Sequence, residues 1–225
     1  MNSIVMELQQ DALDSSIRLP DLLRKALVVA RKLRVKELEA WINRELYGYE
    51  SSDDIPSYRL IKGEVKAWNP FHGWIPILLN DSAIMEQISE RYTSQPISEM
   101  EALIDTANDH SELTMPRPKE LELRLMRVVR APTPPTLIVP ATRLKSIVDA
   151  VRSVVLNWSL KLEEDGILGE GLSFSSEEKQ RAAQNIYQVN HFYGNVSTSH
   201  TNLNAGRDVN VRGDVAGRDK KTKKR

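Results

Sequence analysis

Apolar residues recur with the period of an α-helix in three successive segments near the start of the chain. In residues 3–15 they fall at i, i+1, i+4 and i+8, which is one face of a helix. The next segment starts at a Leu-Pro pair (19–20), where proline suits a first helical turn. The third segment, 35–47, places Trp41 among apolar neighbours and ends at Gly48, a candidate left-handed C-cap. Short links between the segments predict a compact antiparallel bundle of three helices.

The period changes to two in the middle of the chain. Over residues 58–68 apolar positions alternate with charged ones, which predicts a half-buried strand. A turn over 69–73 and a second strand over 74–79 follow, and Pro76 inside that strand indicates a sheet edge. Alternation of Leu with charged residues predicts another strand over 119–130. Two shorter strands are predicted at 112–118 and 136–139.

Helical spacing returns at several further places. Asp81 is the predicted N-cap of a helix that carries Ile84, Ile88 and Tyr92, and Pro96 opens another helix. The longest helix is predicted over residues 140–165, where an apolar stripe runs over about five turns and ends at a glycine. A serine, Ser175 or Ser176, is the predicted cap of a short polar helix that reaches Gln184.

These elements predict an α+β fold. Its parts are an N-terminal three-helix bundle, a small mixed or antiparallel sheet, a long C-terminal helix and a Gly/Asn-rich β-type tail. The predicted organisation has four parts: an α+β domain over 1–170, a linker and short helix over 171–185, a β-solenoid-like or disordered assembly tail over 186–219, and a basic end over 220–225.

Composition excludes several classes of protein. Hydrophobic residues make up 40% and charged residues 28%, as in an ordinary globular protein with a core. The chain has no cysteine, which excludes disulfides, thiol nucleophiles and cysteine metal sites. We see no secretory signal and no apolar run long enough for a membrane span, so we expect a cytoplasmic protein without membrane contact. The formal net charge is zero, although the last twenty residues contain eight basic and three acidic ones.

Candidate catalytic chemistry is scarce. Glu7, Asp11 and Asp14 form an acidic stripe on one helix face, but hard cations need oxygen ligands that converge from several segments. A solvated acidic face is therefore preferred over a metal site. No histidine has metal-ligand spacing, and the glycine-rich residues 166–171 follow a helix and lack the lysine and serine of a phosphate-binding loop. We therefore assign no catalytic residue, no cofactor and no metal.

The tail differs in composition from the rest of the chain. Short alternating segments are separated by glycine beside Asn, Asp or Arg, a pattern typical of β-solenoid coils. The tail alone has too little apolar surface to order itself, so it is either disordered or ordered by association. Its apolar residues are the predicted oligomerisation residues: Tyr187, Phe192, Tyr193, Val209, Val211 and Val215.

Several segments carry a family resemblance. They are LQQDALDSS (8–16), DLLRKALVVARKL (21–33), ELEAWINREL (37–46) with Gly48 and Tyr49, the strand at 58–68 and the long helix at 147–167. On these segments the chain resembles the bacterial AbiTii domain family over most of residues 1–185. The resemblance implies a role in abortive infection, in which an infected cell stops a phage at its own expense. The matching positions are mostly packing positions, so the resemblance implies a shared fold and no catalytic residue.

We therefore expect a non-catalytic sensor, effector or assembly module of antiphage defence. One alternative is a metal-dependent nuclease-type toxin that uses the acidic stripe. Another is a nucleic-acid binder that uses the basic face of the second helix and the basic tail, which the balanced net charge does not favour. The expected partners are further copies of the chain, bound through the tail, and a protein encoded by a neighbouring gene.

Overall fold

The computed structural model describes residues 3–107, 112–115, 117, 119–129, 133–185, 187 and 189. They form an α+β fold with one extended hydrophobic core. The helices along these residues are α1 (Ile4–Leu13), α2 (Leu19–Leu33), α3 (Lys36–Tyr47), α4 (Ser82–Ser89), α5 (Ile97–Thr106), α6 (Lys119–Val129), α7 (Ala141–Glu164) and α8 (Ser176–Gln184). The strands are β1 (Leu60–Lys62), β2 (Glu64–Asn69), β3 (Gly73–Pro76), β4 (Glu90–Tyr92), β5 (Glu112–Met115) and β6 (Thr136–Pro140).

The three predicted N-terminal helices are confirmed. Ser3 caps α1, since its hydroxyl accepts a hydrogen bond from the Met6 amide at 3.3 Å. The α2–α3 link is very short because Arg34 takes a left-handed conformation with a φ of 61°. Such a conformation is strained for a residue with a Cβ, and glycine usually occupies it. The chain therefore reverses direction at once, and α2 packs directly against α3.

The long helix α7 completes the bundle. It contacts α1, α2 and α5, and the apolar stripe that predicted it is buried, including Val151, Val155 and Trp158. Among the N-terminal helices, α1 and α2 thus pack against α7, whereas α3 packs against α2 and α5. None of the helices in the described ranges combines the length and the apolar character that crossing a bilayer requires.

Gly48 follows α3 as predicted, but its conformation differs from the prediction. Its φ of 95° and ψ of 171° lie outside the left-handed helical region. A Cβ at this position would lie 2.9 Å from the Ser94 carbonyl oxygen. Glycine is needed here because two backbone segments approach each other closely, and the Tyr49 amide donates to that same Ser94 oxygen at 2.9 Å.

The strand predicted over residues 58–68 is divided between two antiparallel sheets. β1 pairs with β4, whereas β2 belongs to a four-stranded sheet in the order β3-β2-β6-β5. Gly63 separates them, and a Cβ there would lie 2.3 Å from the Ile138 carbonyl oxygen. Glycine is needed at this point because β6 approaches closely, and the alternation of side chains alone does not reveal the division.

The predicted edge position of Pro76 is confirmed. β3 is the outer strand of the four-stranded sheet and pairs only with β2. The Ile77 amide donates to the Val65 carbonyl at 2.8 Å, so Val65 of β2 and Ile77, which directly follows β3, are a hydrogen-bonded pair. Hydrogen-bonded and non-hydrogen-bonded pairs alternate along antiparallel strands, so the next pair, Lys66 and Pro76, is a non-hydrogen-bonded one. The nitrogen of Pro76 therefore faces the open edge, and the proline removes no hydrogen bond from the ladder.

The predicted strand over residues 119–130 is wrong, because α6 occupies this segment. Leu121, Leu125 and Val128 also satisfy helical spacing, and the segment is rich in Leu, Glu, Arg and Lys, which favour helices. Only Leu125 of these three is buried. Because the apolar positions fit both the period of a strand and that of a helix, alternation alone led to the wrong prediction of a strand.

The short elements follow the predictions more closely. The Asp81 side chain accepts hydrogen bonds from the amides of Ala83 and Ile84 and caps α4. Ser175 caps α8 in a capping box with Glu178. Tyr92, however, was predicted on the helix that starts after Asp81, and the structure places it in β4. The helix ends at Ser89 because the next three residues pair with β1.

Candidate functional site

The acidic stripe of α1 is engaged in ion pairs with α2. Lys25 Nζ lies 2.5 Å from the Asp11 carboxylate and 3.8 Å from that of Glu7. Asp14 accepts a hydrogen bond from the Ser16 amide at 2.8 Å, and its hydrogen bonds to Ser16 lower the pKa of the Asp14 carboxyl. The stripe is therefore partly an interhelical contact and not only a solvated face. Within the described ranges no three His, Asp or Glu side chains are placed to hold a metal ion.

The glycine-rich residues 166–171 form a turn whose backbone amides already have an acceptor. The Glu178 carboxylate accepts from the amides of Leu168 at 3.0 Å, Gly169 at 2.8 Å and Ser175 at 2.7 Å. Partial burial raises the pKa of Glu178, but these backbone hydrogen bonds outweigh it and hold the pKa below its usual range. A carboxylate of the chain itself thus satisfies the Leu168 and Gly169 amides of this turn, which are therefore not free to bind an anion.

The first of the predicted oligomerisation residues, Tyr187, lies in the core of its own chain. It is 3% exposed, and its hydroxyl donates to Asp165 Oδ2 at 2.7 Å. Two residues further on, the Val189 amide donates to Glu37 Oε1 at 3.1 Å. The last described residue, Val189, therefore lies beside α3. The other predicted residues of this set lie outside the described residues: Phe192, Tyr193, Val209, Val211 and Val215.

A buried ion pair that sequence reasoning missed links α3 to the β1–β4 sheet. Glu45 and Arg59 are both fully buried, with Arg59 Nη2 2.5 Å from Glu45 Oε2. Glu45 Oε1 also accepts from the hydroxyls of Tyr49 at 2.6 Å and Tyr58 at 2.5 Å. The Trp41 indole N–H in turn donates to the Tyr58 hydroxyl at 2.9 Å. Trp41 is thus a core residue, as predicted, and also a member of this polar network.

The charged and polar groups of this network are paired with one another. Burial opposes the charge of Arg59, but the adjacent Glu45 carboxylate outweighs this and raises the pKa of the Arg59 guanidinium. Burial and the same carboxylate raise the pKa of the Tyr49 hydroxyl. Arg59 also donates to the carbonyls of Thr93 at 3.2 Å and Gln95 at 2.8 Å. Because these groups satisfy one another and are shielded from water, they hold elements together rather than meet a ligand.

The hairpin formed by β2 and β3 presents aromatic side chains to solvent. Trp68 and Trp74 face each other across the two strands with their ring centroids 5.4 Å apart and their planes at 75°. Their pair is a non-hydrogen-bonded one, in which opposing side chains lie closest. Phe71, in the turn, is 90% exposed, compared with 47% for Trp68 and 39% for Trp74. Large aromatic side chains are usually buried, so this exposure is the most unusual feature of the described surface.

The turn itself is well defined. Asn69 Oδ1 accepts from the amides of Phe71 at 2.8 Å and His72 at 3.2 Å, and Gly73 has a φ of 74°. Alternation along the outer strand then places Pro76 on the same side as Trp74. Leu78 follows two residues after the strand ends and is 88% exposed. We refer to Trp68, Phe71, Trp74, Pro76 and Leu78 as the aromatic patch. The sequence predicted the turn and the edge strand. It carried no signal that the sheet face with these rings would remain uncovered by other elements of the fold.

Comparison with protein families identifies the chain. The model of the AbiTii family matches residues 3–187, which is more than four-fifths of the chain. The chain belongs to the AbiTii family. The resemblance noted in the sequence is therefore confirmed, and family membership places the protein in the setting of abortive infection and antiviral defence. Neither the comparison with curated proteins nor that with solved structures found a match.

The region that matches AbiTii also contains a cleft between the α1–α2 link, α5 and α7, with a volume of about 560 Å3. Charged side chains of both signs line it, and two of them bridge elements of the fold. Arg152 donates to the carbonyls of Asp11, Asp14 and Ile17, so it satisfies the C-terminus of α1. Glu101 accepts from the Leu19 amide at 2.8 Å. In this AbiTii protein the hydrogen bonds of Arg152 and Glu101 in the cleft thus hold the fold together. The aromatic patch is therefore the better candidate for a binding site.

Proposed function

We propose that this AbiTii protein acts in antiphage defence as a non-catalytic sensor or effector that binds another protein through its aromatic patch. Family membership supports the defence setting. The observation that carries the binding proposal is the exposure of Trp68, Phe71 and Trp74 at one rigid hairpin.

Exposed aromatic rings on a rigid hairpin suit protein recognition. Apolar surface gains about 25 cal/mol per Å2 when it leaves water, so a patch kept in solvent forgoes stabilisation unless a partner covers it. Tryptophan is among the residues that dominate binding energy at protein interfaces. The paired rings and the Asn69-capped turn hold the patch in one shape, which lowers the entropy lost on binding.

The nuclease alternative draws less support from the geometry. Lys25 already forms ion pairs with Asp11 and, at 3.8 Å, with Glu7, two of the carboxylates that a metal would need. The buried groups with shifted pKa values, Tyr49 and Arg59, are shielded from water and hydrogen-bonded to Glu45. Neither set resembles an acid and base that converge on an open site.

The nucleic-acid alternative has a similar difficulty on α2. Arg24, Lys25 and Arg31 each lie within 3.1 Å of a carboxylate oxygen, on Asp21, Asp11 and Glu39 respectively. The carboxylates beside them reduce the net positive charge that these three side chains offer to phosphates. Binding that weakens steeply with salt would nevertheless favour this alternative, so a salt titration with single- and double-stranded nucleic acid distinguishes it from the proposal.

A phage challenge tests the proposal. Bacteria that carry this gene and its neighbours would express the full chain or a Phe71→Ser, Leu78→Ser double variant, and plaques would be counted. We expect the variant to lose protection while it keeps its thermal stability, because both side chains are nearly fully exposed. The matched control is Tyr47→Ser with Leu13→Ser, which removes one aromatic and one leucine side chain outside the patch that are also mostly exposed, at 76% and 72%. Unchanged protection by the patch variant would refute the proposal.

A further inference from the structure

We propose that the cleft between the α1–α2 link, α5 and α7 binds a small zwitterion with an apolar body, of the chemical class of an apolar amino acid or a short apolar peptide. The cleft is lined by other residues than the aromatic patch, so this inference goes beyond the proposed function and does not depend on it. Three properties of the cleft support it: an apolar floor, unmatched negative charge on the α5 side and fixed positive charge on the α7 side.

The first property is an apolar floor inside a concave site. The cleft has a volume of about 560 Å3, and small-molecule sites in proteins typically measure roughly 300–1,000 Å3. Ile17 of the α1–α2 link, Ile104 of α5 and Val148 of α7 line it, and each is partly buried against the hydrophobic core. Each of the three elements therefore contributes one apolar side chain, and together they offer a surface that an aliphatic or aromatic group can cover.

The second property is negative charge on the α5 side. Glu101 and Asp105 line the cleft one turn apart on α5, and this helix contains no basic residue. Like charges at this spacing repel each other. Glu101 Oε1 accepts from the Leu19 amide, whereas Oε2 is buried and has no hydrogen-bond donor among the described residues. Arg18 Nε lies 3.6 Å from this oxygen, beyond the usual length of a hydrogen bond. An ammonium group of a ligand on this side compensates the charge of the two carboxylates.

The third property is positive charge on the α7 side. Lys145, Asp149 and Arg152 line the cleft from α7, which gives a net charge of +1 from two basic residues and one acidic residue. Arg152 donates three hydrogen bonds to backbone carbonyls at the end of α1 and in the α1–α2 link. These neutral groups hold the guanidinium in place but do not cancel its charge. A ligand carboxylate on this side therefore meets a cation that is already fixed in position.

The combination of charges favours a ligand that carries both signs. The cleft is lined by equal numbers of basic and acidic side chains: Arg18, Lys145 and Arg152, and Glu101, Asp105 and Asp149. A ligand with phosphate groups alone meets repulsion from the carboxylates, and a ligand with amino groups alone meets repulsion from the cations. A zwitterion places its ammonium group toward α5 and its carboxylate toward α7, with its apolar body over the floor. Apolar amino acids and short apolar peptides have this combination of groups.

Three compounds with the same apolar body test the need for both charges. L-phenylalanine carries both, phenethylamine lacks the carboxylate, and 3-phenylpropanoate lacks the ammonium group. In titration calorimetry on the full chain we expect phenylalanine to bind at least about tenfold more tightly than either analogue, because each analogue loses charge-assisted hydrogen bonds. L-leucine and leucyl-leucine extend the test to other apolar zwitterions. The inference is overturned if none of the three zwitterions binds, or if the singly charged analogues bind as tightly as phenylalanine.

Two variants assign the charges to the two sides of the cleft. Asp105→Asn should weaken the binding of phenylalanine about tenfold and leave that of 3-phenylpropanoate unchanged, because only phenylalanine has an ammonium group. Lys145→Gln should weaken phenylalanine and leave phenethylamine unchanged. The matched controls are Glu164→Gln and Lys161→Gln, which remove an acid and a base of α7 outside the cleft and should bind as the unmodified chain does.

The melting temperature of each variant without ligand shows that it is folded. Equal losses of phenylalanine binding in the cleft variants and the controls would overturn the inference. Protection against phage by the Phe71→Ser, Leu78→Ser variant is a separate result, so failure at the cleft and failure at the aromatic patch are distinguishable.

Discussion

The Arg59 guanidinium lies 2.5 Å from the Glu45 carboxylate, and neither side chain is exposed to solvent. This pair joins the end of α3 to the short turn that leads into β1. It thereby connects the helical bundle to the β1–β4 sheet. A buried ion pair adds little net stability by itself, but the loss of one partner leaves a buried charge without compensation.

Glu45→Gln should therefore destabilise the protein by about 3–5 kcal/mol. The side chain keeps its size, but Arg59 loses its counter-charge in the core. Urea unfolding followed by tryptophan fluorescence measures the difference. The matched control is Glu39→Gln, whose partners Arg31 and Lys36 are mostly exposed, and it should cost far less. A similar cost for the two variants would show that the buried pair is not a structural link.

Trp41→Ala should cost about 3–5 kcal/mol, as expected when a buried aromatic side chain is removed. The variant also leaves the Tyr58 hydroxyl without the indole donor. Phe71→Ala is the comparison, because its ring is exposed and its loss should change stability by less than about 0.5 kcal/mol. Thermal and urea unfolding of both variants measure these differences. A stable Trp41→Ala protein that had lost only activity would indicate a ligand-binding role for this residue.

Replacement of the acidic stripe by Glu7→Gln, Asp11→Asn and Asp14→Asn should have a small effect on folding. Lys25 is partly exposed, so its ion pairs contribute at most about 1 kcal/mol. Protection against phage should be retained, which a plaque assay measures alongside the melting temperature. Loss of protection at an unchanged melting temperature would favour the metal-dependent nuclease.

The lowered pKa of Glu178 predicts a defined pH dependence. A carboxyl whose pKa is lower in the folded than in the unfolded state stabilises the fold above the unfolded pKa, and this contribution disappears as the pH falls through the folded pKa. The melting temperature of the unmodified chain should therefore exceed that of Glu178→Gln near neutral pH. The difference should shrink as the pH falls below the usual value of 4.5. A difference that is constant from neutral to acidic pH would contradict the role of the carboxylate charge.

The tail remains a predicted assembly element, and the core structure decides where it is best removed. A chain that ends at Val189 keeps the buried Tyr187 and Val189, whereas a chain that ends at Ala183 loses both. In light scattering, with the Phe71→Ser, Leu78→Ser variant as background for both, the full chain should have a larger mass than the chain that ends at Val189. Identical masses would leave the tail without an assembly role.

Much of the architecture was predicted from the sequence because it depends on local signals. The spacing of apolar residues shows which face is apolar in α1, α2, α3 and α7. Burial of one such face is enough to stabilise a helix in a bundle. Caps such as Asp81 and Ser175 act within three residues of the chain, so their role is visible without a fold. Pro76 marked a sheet edge because it cannot donate to a neighbouring strand.

Other features were decided only by tertiary structure, because they depend on segments distant in the chain. The division at Gly63 follows from the approach of Ile138, and α6 is a helix although its alternation equally fits a strand. The burial of Glu45 depends on Arg59, which no sequence pattern pairs with it. The aromatic patch belongs to this second group. Alternation places Trp68 and Trp74 on one face of a hairpin, but only the packing of the other strands and helices determines that this face remains open to solvent.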